Sequence, residues 1–360
     1  MSSHFHKLAI KDIRWETSEC VSIAFEIPEN LKKEFDFTHG QNITVRAIIN
    51  NEEIRRSYSI CTSPLEKELR IAVKKLDGGI FSSYATQLKR GDNLELLPPT
   101  GKFSTPINPS HKKDYLAFVA GSGITPIISI IKTVLATEEQ SSFTLIYGNK
   151  NRSSIIFKEE LEAIKNKYIN RFVCHHILSR EQTELTIYHG RINPEKCEEL
   201  CHGLVNINDT DEIFLCGPEQ MIFSIKDWLV SKKINEYKIH FELFTIPGQS
   251  SVKSQESRVE SKNIEGKYSL ITIKQDGLSF NFGLDYNGEP ILDAALKKGA
   301  ALPYACKGGV CCTCRAKLVE GKVEMEHNYA LEPDELEKGF ILTCQSHPRT
   351  EKLVIDFDVK

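Results

Sequence analysis

Four cysteines carry the strongest chemical signal in this 360-residue chain: Cys306, Cys311, Cys314 and Cys344. The first three lie in Pro303-Tyr304-Ala305-Cys306-Lys307-Gly308-Gly309-Val310-Cys311-Cys312-Thr313-Cys314. That is C-x4-C-x2-C with a distant fourth cysteine, the ligand spacing of a plant-type [2Fe–2S] cluster. Such a site needs a tight loop that turns three thiolates toward one small cluster while backbone N–H groups approach the sulfurs. Gly308 and Gly309 are expected to supply the permissive dihedrals. Zinc and a disulfide pair are the competing readings. Zinc knuckles use paired C-x2-C units, and only one pair of these cysteines has that gap. Cys312 breaks the spacing and reads as a small filler.

A second set of residues suits a dinucleotide. Gly121-Ser122-Gly123-Ile124-Thr125-Pro126 follows the apolar run Tyr115–Ala120 and precedes a helical pattern. The glycines allow a tight turn and close approach of a ligand. Pro126 suits the first helical position, and the helix start offers N–H donors to a pyrophosphate. Cys216-Gly217-Pro218 ends a later strand, the place where open α/β sheets bind ligands. The acid that would bind a ribose 2′-OH is missing from Gly148-Asn149-Lys150-Asn151-Arg152. The third strand ends in Ser179-Arg180, groups that suit a 2′-phosphate. The competing reading of Arg180 is a surface side chain on a loop.

Three folded units and a linker must position these residues. Residues 1–108 hold short alternating runs, including Val21–Ile27, Gln41–Ile49 and Leu69–Lys75, and read as an antiparallel β-barrel. Residues 109–246 alternate buried strands (Tyr115–Ala120, Phe143–Tyr147, Phe172–Leu178, Glu212–Leu215) with helices (Ile127–Leu135, Glu219–Leu229). That pattern gives a parallel α/β sheet. Residues 247–265 are polar and read as a flexible linker. Residues 266–360 form a small mixed domain around the four cysteines, ending in the strand-like run Lys352–Val359.

A net charge of −3 gives no reason to expect nucleic acid. Met1–Ile10 holds no long apolar run, and no stretch reaches the roughly 20 residues that span a bilayer. Eleven cysteines, an odd number without a secretory signal, point to a reducing cytoplasm.

Arg56-Ser57-Tyr58-Ser59, followed by Gly78-Gly79-Ile80-Phe81-Ser82, resembles the flavin signature of the ferredoxin–NADP reductase superfamily. Gly121–Pro126 and Cys216–Pro218 resemble its pyridine-nucleotide signatures. The order of flavin, nucleotide and C-terminal ferredoxin resembles reductases that serve multicomponent oxygenases. Phenylacetyl-CoA epoxidase and the ring- and steroid-hydroxylating systems are examples. The resemblance implies an FAD-binding barrel, an NADP-binding α/β domain and an α+β β-grasp ferredoxin domain. Arg56 is implied at the FAD pyrophosphate, Tyr58 on the isoalloxazine and the Ser59 hydroxyl at N5. Gly78, Gly79, Phe81 and Ser82 are implied at a short helix that binds the pyrophosphate. Thr125 and Cys216 are implied where nicotinamide meets flavin. His240–Phe244 resembles the last strand of this domain, with Glu242 near the flavin and Phe244 a guard of the ring face or a core aromatic.

Two other signals fail. Glu324-x-x-His327 is half of a di-iron motif, which needs two such units and further carboxylates. Cys174-x-His176 and Cys344-x-x-His347 have Rieske-like spacing but lie in different units, and Cys344 already belongs to the plant-type set. A separate oxygenase component is therefore implied, and the resemblance favours one of di-iron type.

The expected function is NADPH-dependent delivery of single electrons through FAD and the cluster to that oxygenase, foremost phenylacetyl-CoA epoxidase. Only a flavin converts the two-electron hydride into the one-electron units that the cluster accepts. The alternatives are another acceptor (a Rieske hydroxylase, a desaturase or a hybrid-cluster protein) or a redox sensor without turnover. Seven acids between Glu320 and Glu337, against Lys322, read either as a solvated face or as a docking surface for a basic oxygenase component.

Overall fold

Alternating apolar residues build the first layer. The computed structural model describes residues 4–244 and 267–359; the expected linker, 247–265, lies outside them. Six strands form the N-terminal sheet: β1 (His6–Thr17), β2 (Cys20–Phe25), β3 (Asn42–Ile49), β4 (Glu52–Ser59), β5 (Leu69–Lys74) and β6 (Asn93–Leu96). Their order is β4-β3-β6-β1-β2-β5, all antiparallel. An Ile60–Ile71 bridge joins the end of β4 to β5, so the sheet closes on itself. Inward Leu8, Ile10, Ile23, Ile43, Val45, Ile71 and Leu94 fill the barrel. Helix α1 (Ile80–Ala85) lies between β5 and β6 and packs Phe81 into this core. The register of β3 on β4 sets Asn42 opposite Ser59 and Thr44 opposite Ser57.

The second layer is a parallel sheet. It holds β7 (Asp114–Ala120), β8 (Ser142–Asn149), β9 (Phe172–Leu178), β10 (Glu212–Cys216) and β11 (Ile239–Glu242), ordered β11-β10-β7-β8-β9. The crossovers carry α2 (Ile124–Thr137), α3 (Lys158–Lys167), α4 (Pro194–Cys201) and α5 (Glu219–Ser231). Near-continuous burial of the central strands β7 and β10 on both faces explains their apolar runs. The chain moves outward from β7 to β9 and returns to β10, so the topological switch lies between β7 and β10. Ligands of open α/β sheets bind at such a switch.

The C-terminal unit has a mixed five-stranded sheet ordered β13-β12-β18-β14-β16. Its members are β12 (Tyr268–Gln275), β13 (Leu278–Asp285), β14 (Arg315–Glu320), β16 (Phe340–Leu342) and β18 (Lys352–Asp356). Asp276 and Gly277, both at positive φ (52° and 73°), turn β12 into β13, the two-residue hairpin chemistry that Asp-Gly favours. Strands β15 (Val323–Met325) and β17 (Ser346–Pro348) form a separate ribbon. Helices α6 (Ile291–Lys297) and α7 (Pro333–Glu337) complete the unit. Leu292, Ala295, Leu342 and Ile355 belong to its own apolar core, which also includes Cys314 and Cys344.

Candidate flavin, nucleotide and cluster site

Residues at the C-terminal end of β4 line a cavity of about 370 Å3. Arg55, Arg56, Ser57 and Ser59 contribute from β4, Asn42 from β3, and Glu242, Leu243 and Phe244 from the end of β11. Ala305, Cys306, Val310 and Cys311 close it from the C-terminal unit. Ser59 donates its hydroxyl proton to Glu242 Oε2 at 2.8 Å. Burial lifts the Glu242 carboxyl to about 7, while hydrogen bonds from Ser59 and Asn42 pull the other way. Arg56 is exposed, and its guanidinium donates to the Arg55 carbonyl at 2.7 Å. Phe244, which lines the cavity, is 41% exposed.

Tyr58 packs on Phe81, with ring centroids 5.4 Å apart. Phe81 is a core residue, so its part is to support Tyr58 from below. Gly78 has φ 72°, and Gly79 precedes the helix. A Cβ on Gly79 would lie 2.3 Å from Ser82 Oγ, so the turn needs glycine there. The buried Ser82 hydroxyl accepts from the Leu76 N–H at 3.1 Å and closes the turn from inside.

The cluster loop brings the four predicted ligands together. Cys306 and Cys311 Sγ atoms are 3.2 Å apart. The Cys344 thiol contacts those of both Cys306 and Cys314. Cys311, Cys314 and Cys344 are buried, and Cys306 is half-buried. The Gly308 N–H points at Cys306 Sγ (3.4 Å), and Gln345 Nε2 approaches Cys344 Sγ (3.8 Å). Converging thiols with N–H donors fit a thiolate-held cluster. Cys312 turns away and donates to the Ala330 carbonyl at 3.1 Å. One detail differs from the sequence expectation. The left-handed residues are Lys307 (φ 54°) and Gly309 (φ 75°), and Gly308 serves as an N–H donor instead.

At the switch point, Gly121 (φ 54°) accepts a hydrogen bond from the Tyr147 hydroxyl at 2.9 Å. A Cβ on Gly123 would lie 2.2 Å from the Cys216 carbonyl oxygen, so this glycine lets the two nucleotide loops touch. Helix α2 begins at Ile124, which makes Pro126 its third residue. That position is still in the first turn, where a missing N–H costs nothing. The Thr125 hydroxyl donates to the Ser122 carbonyl at 3.1 Å. Cys216 is fully buried, and burial pushes its thiol well above the usual range. Gly217 and Pro218 lead into α5. The backbone N–H groups of Ser179 and Arg180 bond the Asn149 and Lys150 carbonyls, at 2.9 and 2.8 Å. The exposed Arg180 thus stands beside Lys150. Motif spacing gives no signal for Glu181, which pairs with Arg152 at 3.2 Å.

The C-terminal unit touches both other layers. Thr44 and Thr313 hydroxyls are 2.9 Å apart. Arg55 lies over the Tyr304 ring at 4.0 Å. Lys102 is 3.3 Å from Glu335 and 3.5 Å from Asp334. Val310 and Tyr329 pack against the core of the parallel sheet. These contacts correct the expectation for one residue of the acidic stretch, Glu335; the other six acids are exposed. Glu335 is only 1% exposed, held by Arg315 and Lys102, and therefore faces this chain's own barrel. Glu320, Glu324 and Glu326 pair with Lys352, Arg349 and His347.

Comparison with known proteins agrees with this division of labour. The family model of the oxidoreductase FAD-binding domain matches residues 7–105, that of the oxidoreductase NAD-binding domain residues 118–227, and that of the 2Fe-2S iron–sulfur cluster binding domain residues 274–349. The chain is 43% identical to a component of the 1,2-phenylacetyl-CoA epoxidase of Escherichia coli K12, over 99% of this chain and 98% of that one. It is 31% identical to the ferredoxin reductase component of 3-ketosteroid-9-alpha-monooxygenase of Rhodococcus rhodochrous, over 97% and 96%. The fold of phthalate dioxygenase reductase superposes with a TM-score of 0.57 at 21% identity, covering 98% of each chain. Fold and site therefore define an NAD(P)H-dependent flavin and iron–sulfur oxidoreductase. The chain belongs to the ferredoxin–NADP reductase family, in the branch that ends in a 2Fe-2S domain. No helix among the described residues is long and apolar enough to cross a membrane.

Proposed function

We propose that the chain draws electrons from NADPH and delivers them, through FAD and a [2Fe–2S] cluster, to the oxygenase component of a multicomponent system. The favoured partner is a di-iron oxygenase of the phenylacetyl-CoA epoxidase kind. One observation carries the electron route: the cavity lined by Arg56, Ser57 and Ser59 is also lined by Cys306 and Cys311. The 43% identity to an epoxidase component carries the choice of partner. When bound, the flavin accepts a hydride and the cluster accepts electrons singly; the protein binds, orients and tunes.

The residues divide that work. Arg56 is exposed, and its guanidinium would hold the FAD pyrophosphate together with the N–H groups after Gly78 and Gly79. Tyr58, supported by Phe81, offers a ring face to the isoalloxazine. Ser59, oriented by Glu242, would offer its hydroxyl to the flavin N5. Thr125 and Cys216 would shape the nicotinamide place, and Phe244, which lines the cavity, would guard the flavin ring face. Gly121, Gly123, Pro126, Gly217 and Pro218 form the nucleotide loops, and Ser179 and Arg180 take the 2′-phosphate. Cys306, Cys311, Cys314 and Cys344 hold the cluster.

Reconstitution tests the partner. The protein, NADPH and a phenylacetyl-CoA epoxidase oxygenase component should together form the epoxide. Efficient coupling to a Rieske hydroxylase instead, with no epoxide formed, would replace the proposed partner. Failure to reduce cytochrome c with NADPH would return the chain to the sensor reading.

A further inference from the structure

The seam between the barrel and the C-terminal unit contains a continuous line of hydroxyls. Ser57 Oγ on β4 is 3.3 Å from Thr44 Oγ1 on β3. Thr44 Oγ1 is 2.9 Å from Thr313 Oγ1, 269 residues away in sequence. Thr313 itself sits in the cluster loop, two residues after Cys311 and one before Cys314. Both threonines are buried, at 1% and 6% exposure. The line thus joins a residue of the flavin-side cavity to the loop of a cluster ligand, Cys311, that lines the same cavity.

We propose that Thr44 and Thr313 are positioning residues that fix the register of the cluster loop against the flavin strand, and so set how fast electrons cross between the two sites. The inference rests on the electron route proposed above. A buried hydroxyl without a partner is unfavourable. Sliding the C-terminal unit along the barrel would break this bond, taking from Thr313 its partner across the seam and leaving Thr44 only the longer contact to Ser57, so the pairing selects one docked register. The rest of the seam is less demanding. Arg55 over Tyr304 is a stacking contact that tolerates small shifts. Lys102 reaches Asp334 and Glu335 alike, through a flexible side chain. Among the described residues of the seam, the threonine pair is the short, buried and directional contact. Electron transfer between bound centres weakens steeply with separation, so a small loss of register has a measurable consequence.

Thr44→Val keeps the shape and removes the hydroxyl, and Thr44→Ser restores the hydroxyl without the methyl. Two readouts apply to the FAD- and cluster-loaded full chain. The first is hydrogen–deuterium exchange over 42–46 and 306–316, which reports docking without turnover. The second is cluster reduction after mixing with NADPH, read against ferricyanide reduction, which needs only the flavin. In Thr44→Val, exchange should rise in both segments and cluster reduction should fall roughly five- to tenfold, the effect of one buried hydrogen bond. Ferricyanide reduction should stay at the wild-type rate, and Thr44→Ser should recover cluster reduction. Should Thr44→Val lose FAD, Thr313→Val carries the same test from the other side of the seam, with iron content confirming the cluster. Wild-type exchange and cluster reduction in the valine variant would overturn the proposal, as would a serine variant that behaves like valine. Loss of ferricyanide reduction by the wild type would instead count against the electron route itself.

Discussion

At the scale of single residues, spacing and geometry agree on which cysteines matter. Cys306, Cys311, Cys314 and Cys344 converge, whereas Cys312 points at the Ala330 carbonyl. Replacing any one of the four with serine should lose or severely destabilise the cluster, and Cys312→Ser should keep it. Iron content and the EPR signal of the reduced protein decide this, and a normal cluster in Cys344→Ser would sink the assignment. Nucleotide choice is also set by single residues. Arg180 stands beside Lys150 with a free path to solvent, although Glu181 and Arg152 form a pair nearby. NADPH should be preferred over NADH, and Arg180→Ala should shrink that preference. A lost charge-assisted contact is worth about 1.5–3 kcal/mol, roughly 10- to 100-fold in kcat/KM. A wild type that uses NADH better would remove the 2′-phosphate site.

At the scale of elements, one carboxylate joins the barrel exit to the parallel sheet. Glu212, at the start of β10, accepts from the Thr105 hydroxyl (3.0 Å) and from His240 Nε2 (2.8 Å) and pairs with Lys113. Burial raises its carboxyl, but His240 and Lys113 outweigh that and hold it at about 2, against an ordinary 4.5. The sign follows from proton linkage. The contribution is fully present above the unfolded value and disappears as pH falls toward the folded one. Thermal melts should therefore show wild-type stability falling between about pH 4.5 and about pH 2 more steeply than that of Glu212→Gln. Equal slopes would show that Glu212 contributes no linked stability.

The elements marked by apolar patterns and turn signals were legible. Phe172–Leu178 matches its strand to the residue, and Glu219–Leu229 lies within α5. What sequence could not show are contacts between units. Glu335 read as one of seven surface acids, yet Arg315 and Lys102 bury it. Asn42, Arg55 and Val310 carry no motif and line the cavity only because three units meet there. Thr44 reads as an ordinary strand residue, and its partner lies far along the chain.

At the scale of the whole molecule, the barrel and the parallel sheet share a core through Cys20, Cys61 and Ala72, whereas the C-terminal unit stands apart. The C-terminal core is its own cluster of apolar residues, and its contacts to the barrel are few and mostly polar. Removing residues 250–360 should abolish the cluster but leave FAD binding and NADPH–ferricyanide turnover; loss of FAD would show that the barrel depends on the C-terminal unit. The central claim is the order of electron flow: NADPH, then flavin, then cluster. Anaerobic stopped-flow mixing of the loaded protein with NADPH measures it directly. The flavin absorbance should bleach first, the cluster should be reduced after it, and in Cys344→Ser only the first phase should remain. A cluster that stays oxidised beside a fully reduced flavin, or a flavin that NADPH leaves untouched, would contradict the account.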